Sequence, residues 1–288
     1  MNMKNDFFEV SETMSKSGPM SIKELGNFKS YKDVLDFVPR SVWDINARTK
    51  EIKEMFVDDL EKHTCKRTES GCAVSIIQKY SVFNPLLGMN ILKIYSNIND
   101  VVLDPFAGRD RALITNYMER HYIGYEISPK TFTQLNDKIK NWKYRNDSYN
   151  IDLYNSDGTK LEKTTECVDF IFSCPPYWNK EIYEDVSGQI SSMKNINDWK
   201  NAIYNCGLNC KRLLKSGKYV AIVISDIRNK SKFIPLHSHW IEEFENAGLV
   251  IKDVIINKTN PMNYAGINGY LRNKIMWKTH EYVLIFKK

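Results

Sequence analysis

Between Asn99 and Glu126 the chain alternates in a way that leaves few folds open to it. Asp100-Val-Val-Leu-Asp104 is a short apolar strand ending on an acid, and Pro105-Phe-Ala-Gly108 is a tight turn. A helix follows from Ala112 to about Arg120, and the next apolar run, Tyr122-Ile-Gly-Tyr-Glu126, ends on a second acid 18 positions after Gly108. Strand, turn, helix and strand in that order begin an open parallel sheet covered by helices. Ligands of such sheets bind beyond the carboxyl ends of the strands.

The flanking segments extend the pattern. An amphipathic helix begins near Pro85, where proline suits the first turn, and another spans Pro129 to Trp142. Tyr149 to Gly158 supplies a third strand and its turn. Val168-Asp-Phe-Ile-Phe172 is the fourth strand, and its apolar character is that of a strand buried on both faces. A helix from Trp199 to Leu214 closes in a turn at Lys215-Ser-Gly-Lys218, and Tyr219 to Ser225 is the fifth strand. A helix from Pro235 to Gly248 precedes two last strands, Leu249 to Ile256 and His280 to Phe286. The predicted class is α/β: a Rossmann-like, seven-stranded, mostly parallel sheet with an antiparallel last strand, plus a small N-terminal helical appendage. Residues 1–75 are assigned to a polar tail and that appendage, with helices around 31–38 and 49–60, and residues 76–288 to the main domain. The appendage covers an edge of the core or contacts substrate.

No apolar run approaches the length that spans a bilayer, and the amino terminus lacks a secretory pattern, so a cytoplasmic protein is expected. The six cysteines form no C-x-x-C pair, and His237-Ser-His239 lacks the helical spacing of a zinc-binding pair, so reduced thiols and no metal are expected. A formal charge of +6 permits a polyanionic partner without requiring one.

Four groups fall at the predicted ligand rim: Asp104 to Gly108, Glu126, Asp157, and the turn Cys174-Pro-Pro-Tyr177. A carboxylate such as Glu126 can accept hydrogen bonds from both hydroxyls of a ribose. The first turn has a single glycine, Gly108, where a pyrophosphate site has three, and Asp110 near the helix start repels phosphate. Together these favour a nucleoside cofactor without phosphates, namely S-adenosylmethionine. Two prolines fix the backbone after Cys174, leaving carbonyls free to face a ligand beside the aromatic Tyr177 and Trp178. That combination suits a planar ring carrying an amino group.

Asp104-Pro-Phe-Ala-Gly108 resembles the cofactor motif of S-adenosylmethionine-dependent methyltransferases that act on exocyclic amino groups of DNA bases. Cys174-Pro-Pro-Tyr177 resembles their catalytic motif, in which Asp, Asn or Ser precedes Pro-Pro and an aromatic residue. Phe83-Asn-Pro85 ahead of the cofactor motif and His280-Glu-Tyr-Val-Leu284 at the end are similar to phage and bacterial modification methylases, and Val38 to Asp44 resembles a segment that precedes the core in some phage members. The resemblance implies that Asp104, Pro105, Phe106, Ala107 and Gly108 line the methionine end of the cofactor, Glu126 its ribose and Asp157 its adenine. Asn84 and Pro85 then close the pocket, with Ser173 beside it.

The same resemblance gives the catalytic work to Cys174, Pro175, Pro176 and Tyr177, acting on a base turned out of double-stranded DNA. Cys174 departs from the family pattern, since a thiol is a weak acceptor, which leaves the acceptor role to Pro175 or to help from Ser173. Cytosine N4 and adenine N6 both remain open as targets. For DNA contact the candidates are Trp178 and the loop to Met193, and a recognition insertion at 257–279 carrying Lys258, Arg272 and Lys274. Arg228-Asn-Lys-Ser-Lys232 is a further basic loop. Two rival readings stand beside this one. An RNA base or a protein glutamine amide could be the acceptor, or, given Cys174 and Asp110, the chain could be an inactive nucleic-acid-binding homologue.

Overall fold

The structure, a computed structural model, describes residues 40–45, 83–161, 166–179, 186–229, 232–259, 274–276 and 278–288, together with 52, 55–56, 66–67 and 73–74. Arg40–Lys288 forms one compact unit. Eight strands make the main sheet: β1 (Val42–Trp43), β2 (Val101–Asp104), β3 (His121–Tyr125), β4 (Ile151–Tyr154), β5 (Val168–Ser173), β6 (Leu214–Ile224), β7 (Val250–Lys258) and β8 (His280–Lys287). They lie in the order β1-β7-β8-β6-β5-β2-β3-β4. β8 runs antiparallel to both neighbours and every other pairing is parallel. The expected α/β class therefore holds, with all seven expected strands present.

The eighth strand corrects one expectation. Val42–Trp43 falls in a segment read as helical, yet it pairs with Ile256 and Asn257 at the edge of β7. A β-branched and an aromatic residue three positions beyond Pro39 suit an edge strand better than a helix. The helices expected around 31–38 and 49–60 lie outside the described residues apart from Ile52, Met55 and Phe56, which are helical. The polar stretch after Cys65 is flanked by Lys66–Arg67 and Ala73–Val74, which pair antiparallel.

Helix starts follow local chemistry. In α1 (Pro85–Tyr95) the Asn84 side chain accepts from the Leu86 amide, and in α3 (Pro129–Asn141) Ser128 accepts from Thr131, each with proline at the first position. The other long helices are α2 (Arg111–Tyr117), α4 (Ile196–Leu213) and α5 (Leu236–Asn246). All six residues of β5 are buried. Its Phe170 and Phe172 meet Tyr95 and Phe83 on one face, while Ile171 joins the cluster formed with α4 and α5 on the other.

Lys215–Lys218, expected as a turn before the fifth strand, is instead a bulge within β6. Val168 pairs with Leu214 and Phe170 with Tyr219, so the extra residues loop outward around Gly217 at φ +76°. No helix among the described residues is long and apolar enough to cross a membrane.

The turn after β4 is pressed against the turn after β2. A Cβ on Gly158 would lie 1.8 Å from the Pro105 carbonyl oxygen, so glycine is the residue that permits this approach. Gly158→Ala is expected to lower unfolding free energy by about 1–3 kcal/mol or more, because backbone must move to admit the methyl group. A urea midpoint equal to that of the parent protein would show that the two turns do not depend on each other.

Candidate active site

The four sequence-predicted groups converge at the carboxyl ends of β2, β3, β4 and β5, and direct contacts join them. Asp104 is fully buried, and its carboxylate accepts from four donors. Oδ1 takes the Phe106 amide at 3.0 Å and the Ser173 hydroxyl at 2.5 Å. Oδ2 takes Arg111 Nε at 2.7 Å and the Tyr122 hydroxyl at 3.0 Å. The cofactor-type turn and the Pro-Pro turn are thus tied through one side chain. Ser173, whose hydroxyl could have served a substrate, spends it on Asp104.

Sequence reasoning misses Arg111 and Tyr122, because their partner lies 7 and 18 residues away and no local pattern marks them. Arg111 also donates to the Phe106 carbonyl and lies over the Phe83 ring at 5.6 Å. Burial alone would pull its basicity down, but the carboxylate of Asp104 outweighs this and holds it firmly protonated. Burial first, and then Asp104, pushes the Tyr122 phenol well above its ordinary range, so it stays a donor.

Gly108, at φ +61°, turns the chain so that its amide donates to Glu126 Oε2 at 3.0 Å, while the Ser128 amide donates to Oε1 at 2.9 Å. Each Glu126 oxygen therefore carries one backbone donor and keeps acceptor capacity. Burial raises the Glu126 pKa, and the Ser128 and Gly108 amides pull it back only in part. Asp157 Oδ1 accepts from the amide and hydroxyl of Thr159 at 2.9 and 2.7 Å, and Oδ2 pairs with Lys160 at 3.2 Å. Asp157 also lines an open cavity of about 510 Å³ with Thr159, Gly188 and the Asn201, Asn205 and Asn209 face of α4.

In the second turn Pro175 is buried, and Cys174, Pro176 and Tyr177 are half-buried, with Tyr177 packed at the margin of the core. Trp178 is held in place: its indole donates to the Met193 carbonyl at 2.7 Å and lies 6.3 Å from the Trp199 ring. Asn84 caps α1 and donates to the Ile45 carbonyl at 2.6 Å, beside buried Pro85. Asp110, the acid expected to repel phosphate, is paired with Lys138 of α3 at 2.8 Å. Lys258 lies three strands from β5 at the end of β7 and pairs with Asp44 at 3.4 Å, with both side chains exposed. Lys274 is exposed at φ +52°, and Arg272 lies outside the described residues, as does most of the recognition insertion. Among the described residues no group of three His, Cys, Asp or Glu is placed to hold a metal ion.

A family model described as DNA methylase, of the N6/N4 type, matches residues 8–137 and 168–288, which include both turns. The chain belongs to this DNA methylase family. It is thereby a methyltransferase. No curated protein matches the chain. Among solved structures it is similar to an S-adenosylmethionine-dependent methyltransferase from Methanosarcina mazei, at 12% identity and a TM-score of 0.48, covering 69% of this chain and 96% of that one. A methyltransferase from Pyrococcus furiosus is 18% identical with a TM-score of 0.46, covering 76% and 90%. A protein described as a candidate DNA modification methylase from Thermus thermophilus is 21% identical with a TM-score of 0.33, covering 44% and 48%.

The Asp104 carboxylate ties the Asp104–Gly108 turn to the end of β5, where the Pro-Pro turn begins. Asp104→Asn is expected to cost about 3–5 kcal/mol, since Arg111 would be left as a buried charge without its counterion. Denaturant unfolding checks this, and a loss below about 1 kcal/mol would show that the pair is not what holds the rim together.

Proposed function

We propose that this protein methylates an exocyclic amino group, cytosine N4 or adenine N6, of a base turned out of double-stranded DNA, with S-adenosylmethionine as donor. The observation that carries the reading is the 2.5 Å contact between Ser173 and Asp104, which ties the Asp104–Gly108 turn to the strand end that leads into Cys174–Tyr177. The residues fit the donor. Glu126 offers two oxygens with spare acceptor capacity at the separation of two ribose hydroxyls, and Gly108 presents backbone without a side chain beside it. Asp157 stands next to a cavity at the following strand end, where an adenine amino group would need an acceptor. When bound, S-adenosylmethionine supplies a methyl group on a positively charged sulfur.

The remaining work belongs to the chain. An aromatic amino group shares its lone pair with the ring, and it becomes nucleophilic when fixed acceptors take its hydrogens and bend the nitrogen toward tetrahedral geometry. The carbonyls of Cys174 and Pro175 are fixed by the two prolines that follow them. With the Ser173 hydroxyl directed to Asp104 and the Cys174 thiol a weak acceptor, the Pro175 carbonyl takes the larger share. Tyr177 offers its ring to the extruded base, and Trp178, held by Met193 and Trp199, forms a rigid wall beside it. The pairing of Asp110 with Lys138 removes one of the two reasons to read the chain as inactive.

Incubation with labelled S-adenosylmethionine and, separately, unmethylated DNA, RNA and protein extract tests the reading. Label in DNA is expected, and label in RNA or protein alone would overturn it. Tyr177→Ala is expected to slow methyl transfer roughly 100-fold with little change in cofactor binding, because stacking positions the base. Glu126→Ala is expected to weaken cofactor binding first, measured by calorimetry.

A pH dependence follows from the raised Glu126 pKa. A raised value means the neutral acid forms at a higher pH than for an ordinary glutamate, and a protonated carboxyl cannot accept from both hydroxyls. Cofactor affinity should therefore fall on acidification before the ordinary glutamate range is reached. Glu126→Gln should flatten that profile, and a profile unchanged by the substitution would remove Glu126 from the ribose site.

A further inference from the structure

A second polar cluster lies on the same rim, outside the groups assigned above. β6 leaves the sheet at Ile224 and continues through Ser225 and Asp226 into an antiparallel hairpin, Ile227–Asn229 with Lys232–Ile234, before α5 begins. Asp226 is buried, and its Oδ1 accepts from His237 twice, from the amide at 3.2 Å and from Nδ1 at 2.6 Å. An ionised carboxylate only accepts, so Nδ1 carries the hydrogen and Nε2 is left at the other edge of the ring, 3.1 Å from the hydroxyl of exposed Ser238. The imidazole is stacked on Tyr282 at 4.1 Å.

The titratable groups that face this pair from the sheet side are Lys278, His280 and Tyr282. Lys278 donates to the Ser225 hydroxyl and the Asp226 carbonyl, and His280 Nε2 lies 3.0 Å from the Tyr282 hydroxyl. On α5 itself, His239 is within 3.7 Å of Glu242. Lys278 lies close enough to Asp226 to offset its charge. Arg228 and Lys232 are exposed on the adjoining hairpin, with Arg228 over the Phe233 ring at 5.1 Å.

The position is what points to a ligand. Ser173 pairs with Ile222, so the Cys174–Tyr177 turn and the Ser225–Asp226 segment leave neighbouring strands side by side, about 5 Å apart at the sheet. α5, which carries His237 in its first turn, places Trp240 6.3 Å from Phe106 of the cofactor-type turn. A nucleotide whose base entered the Pro-Pro turn would bring its phosphates to this neighbouring strand end.

We propose that His237, oriented by Asp226, together with Lys278 and the exposed Arg228 and Lys232, docks the phosphate backbone of the DNA strand that carries the target base. The proposal rests on the DNA reading above. It gives a task to Arg228 and Lys232, and to a histidine held on one ring nitrogen by a buried acid and met on the other by the hydroxyl of exposed Ser238.

Duplex DNA binding followed by fluorescence anisotropy across a salt series tests it. Arg228→Ala and Lys232→Ala should each lower the slope of log affinity against log salt by about 0.9, the loss of one phosphate contact. His237→Ala should weaken DNA binding roughly tenfold, the loss of one hydrogen bond to a charged group, while S-adenosylmethionine binding by calorimetry stays unchanged. DNA affinity and salt slope unchanged in all three variants would overturn the docking site and leave the methylation reading standing. No DNA binding by the parent protein would overturn both.

Discussion

A single carboxylate, Asp104, holds the working end of this molecule together. Its two oxygens take donors from the turn it begins, from β3, from the end of β5 and from the first residue of α2. In a buried setting a carboxylate is tolerable only when its acceptor sites are filled and its charge is matched, and here both conditions are met. The consequence is mechanical. Neither the cofactor-type turn nor the Pro-Pro turn can shift without breaking a charge-assisted hydrogen bond, so the rim is held ready before any ligand arrives.

Around that carboxylate the rim is assembled by close backbone approaches and shared faces. Gly158 lets the β4 turn touch Pro105, and Gly108 in the left-handed region aims its amide at Glu126. On the α5 side, Phe106 meets Trp240, and Trp178 meets Trp199. The rim is therefore apolar beneath and polar above. Asp110, which would repel a phosphate, is neutralised by Lys138, and Cys174, the departure from the family pattern, sits half-buried ahead of two prolines that restrict the backbone.

Much of this is legible in the sequence, for identifiable reasons. Proline at the first position after Asn84 and Ser128 marks the starts of α1 and α3 to the residue, because those signals act within one turn. The largely apolar run of β5 announces a strand covered on both faces, and all six of its residues are buried. Val42–Trp43, between the two helices expected in the appendage, is missed as a strand because an edge strand of two residues has no periodicity to detect, and its partner lies more than 200 positions away. The Lys215–Lys218 bulge looks like a turn because Ser-Gly is turn chemistry whether or not the strand resumes its pairing afterwards.

The sequence by itself determined the strand and helix order, the strand ends at which chemistry-bearing residues would fall, and the two motifs that mark the chain as a DNA methylase. These depend on neighbours within a few residues, where dihedral preference and hydrophobic period decide the outcome. The tertiary structure alone decided what each polar side chain is paired with. It gave Arg111 and Tyr122 to Asp104, turned Ser173 inward, matched Asp110 with Lys138, and set His237 against Asp226. Such pairings join residues 7 to 69 positions apart, and they are chosen by which groups burial forces to share a partner, a condition that no short stretch of chain contains.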